Sequence, residues 1–204
     1  MKIIAVGMNY ALHNQELGHT QSREPVIFMK PDSALLKDGK PFFLPDFSDE
    51  IQYEAEVVVR ICRLGKHIAP RFARRYYDAA TVGIDFTARD LQRAFRAVGH
   101  PWELCKGFDN SAAIGTFVPL EQLGGDVQQL DFRLEIDGNS VQQGHTADML
   151  FRVDDIIAYV SRFMTLKMGD LLFTGTPAGV GPVRVGQHLQ GYLGSEKVLD
   201  FHIR

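Results

Sequence analysis

Apolar and polar positions along the chain fall into short alternating or continuous runs more often than into helical spacing. The pattern therefore predicts more strands than helices. Met1–Gly7 is a short apolar run that ends at Gly7-Met8-Asn9-Tyr10 and predicts the first strand. Pro25–Lys30, closed by Pro31, predicts another. Ile51–Cys62 begins with alternation and becomes continuously β-branched at Val57-Val58-Val59, as expected of a strand covered on both faces. Leu130–Ile136 alternates and leads into the hairpin-turn sequence Asp137-Gly138-Asn139. Asp170–Thr174 and Val198–Ile203 complete the strand candidates. Helical spacing is rarer. Ala69-Pro70 opens a predicted helix running through Tyr77 to Ala80. Thr87-Ala88-Arg89-Asp90 reads as a capping box with Asp in place of Glu. Leu91 and Phe95 follow it four residues apart, and that helix should stop near Gly99, before Pro101. Val153–Met164 carries Ile156, Ile157, Val160, Phe163 and Met164 on one face. Helices are not interleaved one per strand, which favours an α+β, mostly β fold over a doubly wound sheet.

Composition adds mainly exclusions. The 204 residues are 45% hydrophobic and 23% charged, with a formal net charge of -3. These values fit a globular chain and not a disordered one. No apolar run approaches the ~18 residues of a membrane-spanning helix. The near-neutral charge lacks the footprint of a nucleic-acid binder. One domain over residues 1–204 is expected, with a small molecule as partner rather than nucleic acid or membrane. Two separated cysteines, Cys62 and Cys105, point to a reducing cytoplasm.

The acids sharpen the picture. In a strand, Glu54 and Glu56 share one face, and two like charges that close destabilise it unless the face is solvated or a cation neutralises them. Asp85 lies between Ile84 and Phe86, poorly placed for solvation, although taken singly it reads first as a turn or N′ residue. Together the three would form an all-oxygen site suited to Mg²⁺, Mn²⁺ or Ca²⁺ rather than Zn²⁺. His13 and Glu16 are one helical turn apart, so the carboxylate can orient the imidazole as a general base. The surrounding polar segment, Tyr10–Glu24, reads as a lid. Lys106 sits between Cys105 and Gly107-Phe108. Gly175-Thr176-Pro177-Ala178-Gly179-Val180-Gly181 is a Gly-rich turn without P-loop or dinucleotide spacing, and Thr176 can offer a hydroxyl and an N–H to a carboxylate.

With these residues in view, the sequence resembles the fumarylacetoacetate hydrolase family. The matching stretches are Gly7-Met8-Asn9-Tyr10, Phe28-Met29-Lys30-Pro31, Tyr53-Glu54-Ala55-Glu56, Gly83 through Gln92, Lys106-Gly107-Phe108-Asp109 and Gly175 through Gly181. The resemblance implies a mixed-sheet β-roll or sandwich of that family's C-terminal domain type, in a short, single-domain, acylpyruvate hydrolase-like member. It implies a homodimer binding Mg²⁺ or Mn²⁺ through Glu54, Glu56 and Asp85. It places the water-activating dyad on His13 and Glu16 and a catalytic role on Lys106. It gives substrate contacts to Arg89, Gln92, Thr176 and Lys30. The implied activity is cleavage of a C–C bond in an acylpyruvate to give pyruvate and a carboxylic acid. Oxaloacetate decarboxylation or tautomerisation and hydroxydienoate isomerisation are the alternatives.

Overall fold

The computed structural model describes residues 1–18 and 20–204. Among them lie β1 (Ile3–Gly7), α1 (Ala11–Glu16), β2 (Val26–Lys30), β3 (Leu35–Leu36), β4 (Ile51–Tyr53) and β5 (Ala55–Ile61). These are followed by α2 (Pro70–Ala73), β6 (Tyr77–Asp85), β7 (Thr87–Ala88), α3 (Arg89–Val98), α4 (Glu103–Lys106), β8 (Ala112–Ile114) and β9 (Val118–Pro119). The last third holds β10 (Asp131–Ile136), β11 (Asn139–His145), α5 (Val153–Ser161), β12 (Leu171–Phe173), β13 (Gly181–Pro182), β14 (His188–Leu193) and β15 (Glu196–His202).

The largest sheet runs β2-β1-β12-β5-β6-β8-β3, with β9 also paired to β6. It is mixed, since β1–β12 and β3–β8 are parallel and the other pairs antiparallel. A second sheet, β11-β10-β14-β15, and a small one, β13-β4-β7, pack around it. The result is the expected mostly β α+β fold, a curled mixed sheet with helices at its margins. Val57, Val58 and Val59 are all fully buried because β5 is central and both its faces are covered. Val57 and Val59 join a core with Ile156, Ile157 and Val160 of α5, while Val58 packs with Ile3 and Phe173 on the opposite side. Among the described residues no helix is long and apolar enough to cross a membrane.

Several expectations hold in detail. Asp137 (φ 52°) and Gly138 (φ 79°) make the tight β10–β11 hairpin with both central residues left-handed. Gly99 (φ 73°) ends α3, and its N–H returns to the Arg96 carbonyl. Others need correction. The helix from Ala69 ends at Ala73, passes through a 3₁₀ turn to Tyr76, and gives way to β6 at Tyr77. Pairing of this part of β6 with both β5 and β9 overrides the helical spacing there. The long strand Ile51–Cys62 breaks at Glu54, where the chain leaves the small sheet and enters the large one. α3 has no capping box: Ala88 is the N-cap, and the Thr87 hydroxyl donates to the Asp85 carbonyl instead. α5 stops at Ser161, leaving Phe163 62% exposed.

The centre of the large sheet tolerates no extra atom beside the acids. A Cβ on Gly83, opposite Glu56 in register, would lie 2.7 Å from Val58 Cγ2, 2.8 Å from the Ala113 carbonyl oxygen and 2.9 Å from Phe173 Cε1. Gly83→Ala should therefore lower stability by about 1–3 kcal/mol, as overpacking does. Urea denaturation measures this, and an unchanged midpoint would contradict the packing.

Candidate active site and metal centre

The break at Glu54 and the end of β6 bring three acids together. The Glu54 carbonyl accepts the Asp85 N–H at 2.9 Å. Ligand atoms of Glu54, Glu56 and Asp85 lie within 4.8 Å of one another, and all three residues are buried. Three buried carboxylates at this separation demand counter-charge.

Three buried cations supply it. Lys106 Nζ donates to Glu54 Oε2 and Asp85 Oδ2, both at 2.7 Å, and to Thr87 Oγ1 at 2.6 Å. Arg89 donates to Glu54 Oε1 at 2.5 Å, Gln52 Oε1 at 2.8 Å and Gln92 Oε1 at 2.5 Å. Lys30 Nζ pairs with Asp85 Oδ1 at 2.7 Å, but its hydrogen bonds go to the Lys106 and Ser111 carbonyls and the Ser111 hydroxyl. Burial alone would push the Glu54 carboxyl up, yet Lys106 and Arg89 together hold it well below the usual carboxylate range. Burial pulls Lys106 down, and Asp85 and Glu54 more than offset this, so its ammonium stays charged. Burial lowers Lys30.

Glu56 differs. Its direct hydrogen bond comes from the Gly175 N–H at 2.7 Å, and burial, then Asp85 and Glu54, raise its carboxyl well above the usual range. Asp85 Oδ1 has the Lys30 ammonium at 2.7 Å as an ion-pair partner but accepts no well-aligned hydrogen bond. An all-oxygen donor set with one acid lacking a cationic partner fits a hard divalent cation. Glu54, Glu56 and Asp85 would hold it.

α1 faces this cluster. His13 Nδ1 lies 3.2 Å from Glu16 Oε2, and His13 is 5% exposed. Glu16 also accepts the Gly179 N–H at 3.1 Å, which ties α1 to the Gly-rich turn. The entry to α1 is fixed by the fully buried Asn9, which donates to the carbonyls of Thr174 and Phe151 and accepts the Phe151 N–H. Met8 before it adopts φ 64°, a strained conformation for a residue with a Cβ. In the Gly-rich turn, the Thr176 hydroxyl donates to the Ala55 carbonyl at 2.8 Å and accepts from Gln142 Nε2 at 2.9 Å.

Eight of the residues singled out in the sequence line one cavity: His13, Glu54, Glu56, Asp85, Arg89, Gln92, Lys106 and Thr176. Phe28 and Trp102, packed edge to face at 5.8 Å, give it an apolar wall. Its free volume is about 30 Å³, room for one or two water molecules. Two residues stand behind the wall. Glu16 backs His13. Lys30, expected as a substrate contact, lies beneath Asp85 with a fully buried side chain, as a counter-ion to that acid. Sequence reasoning passed over Gln142, Asn9, Gln52 and Thr87, which hold these groups in place. A polar residue at an inward strand position is the only signal for Gln142, and the weakly apolar β11 hides it.

Residues 2–203 match the family model for the C-terminal domain of fumarylacetoacetate hydrolase. The chain is 39% identical over 188 residues to oxaloacetate tautomerase YcgM of Escherichia coli, covering 92% of this chain and 86% of that protein. It is 39% identical over 204 residues to a mitochondrial oxaloacetate decarboxylase of Dictyostelium discoideum, covering 99% and 93%. Among solved structures, fumarylpyruvate hydrolase from Pseudomonas aeruginosa, in complex with Mn²⁺ and pyruvate, superposes with a TM-score of 0.93 at 35% identity, covering 100% of this chain and 89% of that one.

Two outcomes follow from the charge arrangement. Glu56→Gln should weaken Mg²⁺ binding at least tenfold, about 1.4 kcal/mol, by calorimetry; unchanged affinity would overturn the metal site. Lys30→Met removes one of the two buried cations that Asp85 meets, leaving Lys106, and should cost about 1–3 kcal/mol of stability in denaturant unfolding.

Proposed function

The chain belongs to the fumarylacetoacetate hydrolase family, and on that premise we propose that it is a divalent-metal-dependent hydrolase. Its reaction is cleavage of a C–C bond in an acylpyruvate or related 2,4-dioxo acid, giving pyruvate and a carboxylic acid. The observation that carries this reading is the His13–Glu16 pair, an oriented base lining the same cavity as the three acids and Lys106. Mg²⁺ or Mn²⁺ held by Glu54, Glu56 and Asp85 would supply Lewis-acid polarisation of the 2-oxo group and charge compensation for the enolate.

The protein's own groups account for the proton movements. Glu16 accepts from His13 Nδ1–H, which leaves Nε2 as the proton acceptor. Nε2 takes a proton from water as that water attacks the distal acyl carbonyl. The C–C bond between the acyl carbon and C3 then breaks, releasing the carboxylic acid and the enolate of pyruvate. Lys106 remains charged with its three N–H groups on Glu54, Asp85 and Thr87, so it stabilises the enolate through its positive charge, or by giving up the Thr87 bond to donate to the enolate oxygen. The His13 imidazolium delivers that proton to C3 of the enolate, which gives pyruvate and restores the neutral imidazole. Arg89 and Gln92 steady Glu54 and border the space for the substrate's carboxylate.

A second reading is favoured by the names of the relatives, an oxaloacetate tautomerase and an oxaloacetate decarboxylase. Enolisation of oxaloacetate needs only a base at C3 and a stabilised enolate, both of which His13 and Lys106 can provide. Catalysis within one domain spanning the chain, a homodimer and a reducing cytoplasm, consistent with the free Cys62 and Cys105, belong to the same proposal.

Product analysis by NMR with Mg²⁺ separates the readings. Hydrolysis converts acetylpyruvate to acetate and pyruvate. Under the second reading acetylpyruvate survives, while oxaloacetate interconverts with its enol or releases CO₂. His13→Ala should slow hydrolysis by about 10²–10⁴-fold and leave Mg²⁺ affinity unchanged. Hydrolysis at the wild-type rate in this variant would overturn the dyad.

A further inference from the structure

The formal net charge of -3 conceals an uneven distribution. No Asp or Glu occurs from Val57 to Tyr77 or from Ile156 to Gly169, yet these two stretches carry eight of the 22 Lys and Arg residues. The fold lays the stretches side by side. Gly65 and Leu166 exchange backbone hydrogen bonds at 3.0 and 2.8 Å, and the N–H groups of Gly169 and His67 donate to the carbonyls of Ile61 and Ser161. In that antiparallel register Arg63 falls opposite Met168, and Leu64 opposite Lys167. The turn that follows α2 is tied to the same seam, because the Cys62 N–H donates to the Tyr76 carbonyl at 2.9 Å.

Six exposed cations result: Arg63, Lys66, Arg71, Arg75, Arg162 and Lys167. None of them forms a salt bridge with a carboxylate among the described residues. Arg71 and Arg75 instead lie over the Phe72 ring at 4.8 and 4.9 Å, and Arg162 over the Phe163 ring at 5.5 Å. Lys66 Nζ donates to the Arg162 carbonyl at 3.2 Å and so joins the two stretches. Large apolar groups stand between these charges. Leu64 is 66% exposed, Phe163 62% and Met168 76%. Apolar side chains grouped in this way on a surface mark a site of contact.

The mixture of charge and apolar area selects the occupant. Two copies of this face would set six unpaired cations against six, with no acid to answer them. The nearest acids of α5, Asp154 and Asp155, lie in its first turn, at the far end from Arg162 and Phe163. Asp170 is buried against Lys2. A nucleic acid would use the cations and leave Leu64 and Met168 in water. An anionic lipid surface uses both: headgroup phosphates meet the Lys and Arg ends, and the apolar side chains reach the acyl boundary. Attachment of this kind requires neither a spanning helix nor a positive chain overall, since the surface potential acts within about a Debye length.

We propose that the face formed by residues 63–75 and 162–168 is a peripheral docking surface for an anionic phospholipid bilayer. None of its residues lines the catalytic cavity, so the proposal stands apart from the reading of that site.

The test is co-sedimentation of the full chain with vesicles of equal parts phosphatidylcholine and phosphatidylglycerol, and with vesicles of phosphatidylcholine alone. The protein should sediment with the mixed vesicles only, and added salt should release it. Arg71→Gln/Arg75→Gln should weaken this binding about tenfold or more through lost charge. Phe163→Ser/Met168→Ser should weaken it about tenfold through lost apolar burial. All four positions are exposed, so thermal midpoints equal to wild type verify that both variants are folded. Sedimentation with neither vesicle, or equally with both, overturns the proposal, as does binding that survives the arginine variant. Binding lost in the arginine variant but unchanged in Phe163→Ser/Met168→Ser describes a general polyanion site and overturns the lipid assignment. A change of oligomeric state in Phe163→Ser/Met168→Ser, read by sedimentation velocity without vesicles, gives the face to a second copy and overturns it as well.

Discussion

Three carboxylates within 4.8 Å of one another inside a protein set the terms for everything around them. Each ionised group carries a desolvation penalty of several kcal/mol, and mutual repulsion adds to it. Lys30, Lys106 and Arg89 answer with three positive charges, all buried. The match is uneven, however. Glu54 receives both Arg89 and Lys106, Asp85 receives both lysines, and Glu56 receives a single backbone N–H. A divalent cation at the three acids therefore serves the member that the protein leaves least compensated. The chain supplies enough charge to fold around the cluster while leaving Glu56 free to favour such an ion.

The same economy governs the Gly-rich turn. A turn with exposed N–H groups suggests a cradle for the substrate's anion. Here Gly175 gives its N–H to Glu56 and Gly179 gives its own to Glu16. Two of the turn's donors are thus spent on the protein's own carboxylates, one in the acidic cluster and one in the dyad. This couples the base on α1 to the acids on β5 through one short segment. Close approach is essential to that coupling. Gly175 sits at φ 98°, and a Cβ there would lie 2.7 Å from Asn9 Cβ. A side chain at that position would push apart the segment that carries His13 and the segment that carries Glu56.

Much of this was legible in the sequence because the informative signals are local. Strand patterns, the Asp-Gly hairpin turn and the Glu-x-Glu spacing depend on neighbours within a few residues. His13 and Glu16 are similarly one helical turn apart. What escaped depends on distant partners. Tyr77–Ala80 has helical spacing and becomes strand because β5 and β9 flank it. Lys30 occupies a recognisable motif, but its partner Asp85 is 55 residues away, so its role as a counter-ion is invisible without the fold. Gln142 and Asn9 act through hydrogen bonds to residues far along the chain. Thr87 looked like a helix cap because the local sequence fits one. The tertiary pull of Lys106 and the Asp85 carbonyl gives its hydroxyl a different task.

The family resemblance fixes the reaction class more firmly than the reaction, and the geometry explains why. Hydrolysis, decarboxylation and tautomerisation all require a stabilised enolate, and the acids with Lys106 address that shared requirement. They differ in where a proton or a nucleophile is delivered. In the proposed reading His13, oriented by Glu16, is the base, and its Nε2 would serve water or C3–H according to which lies beneath it. The free space under α1 holds one or two waters, so in the proposed reading α1 would move to admit a substrate. The ties from Asn9 and Glu16 set how far that lid can yield.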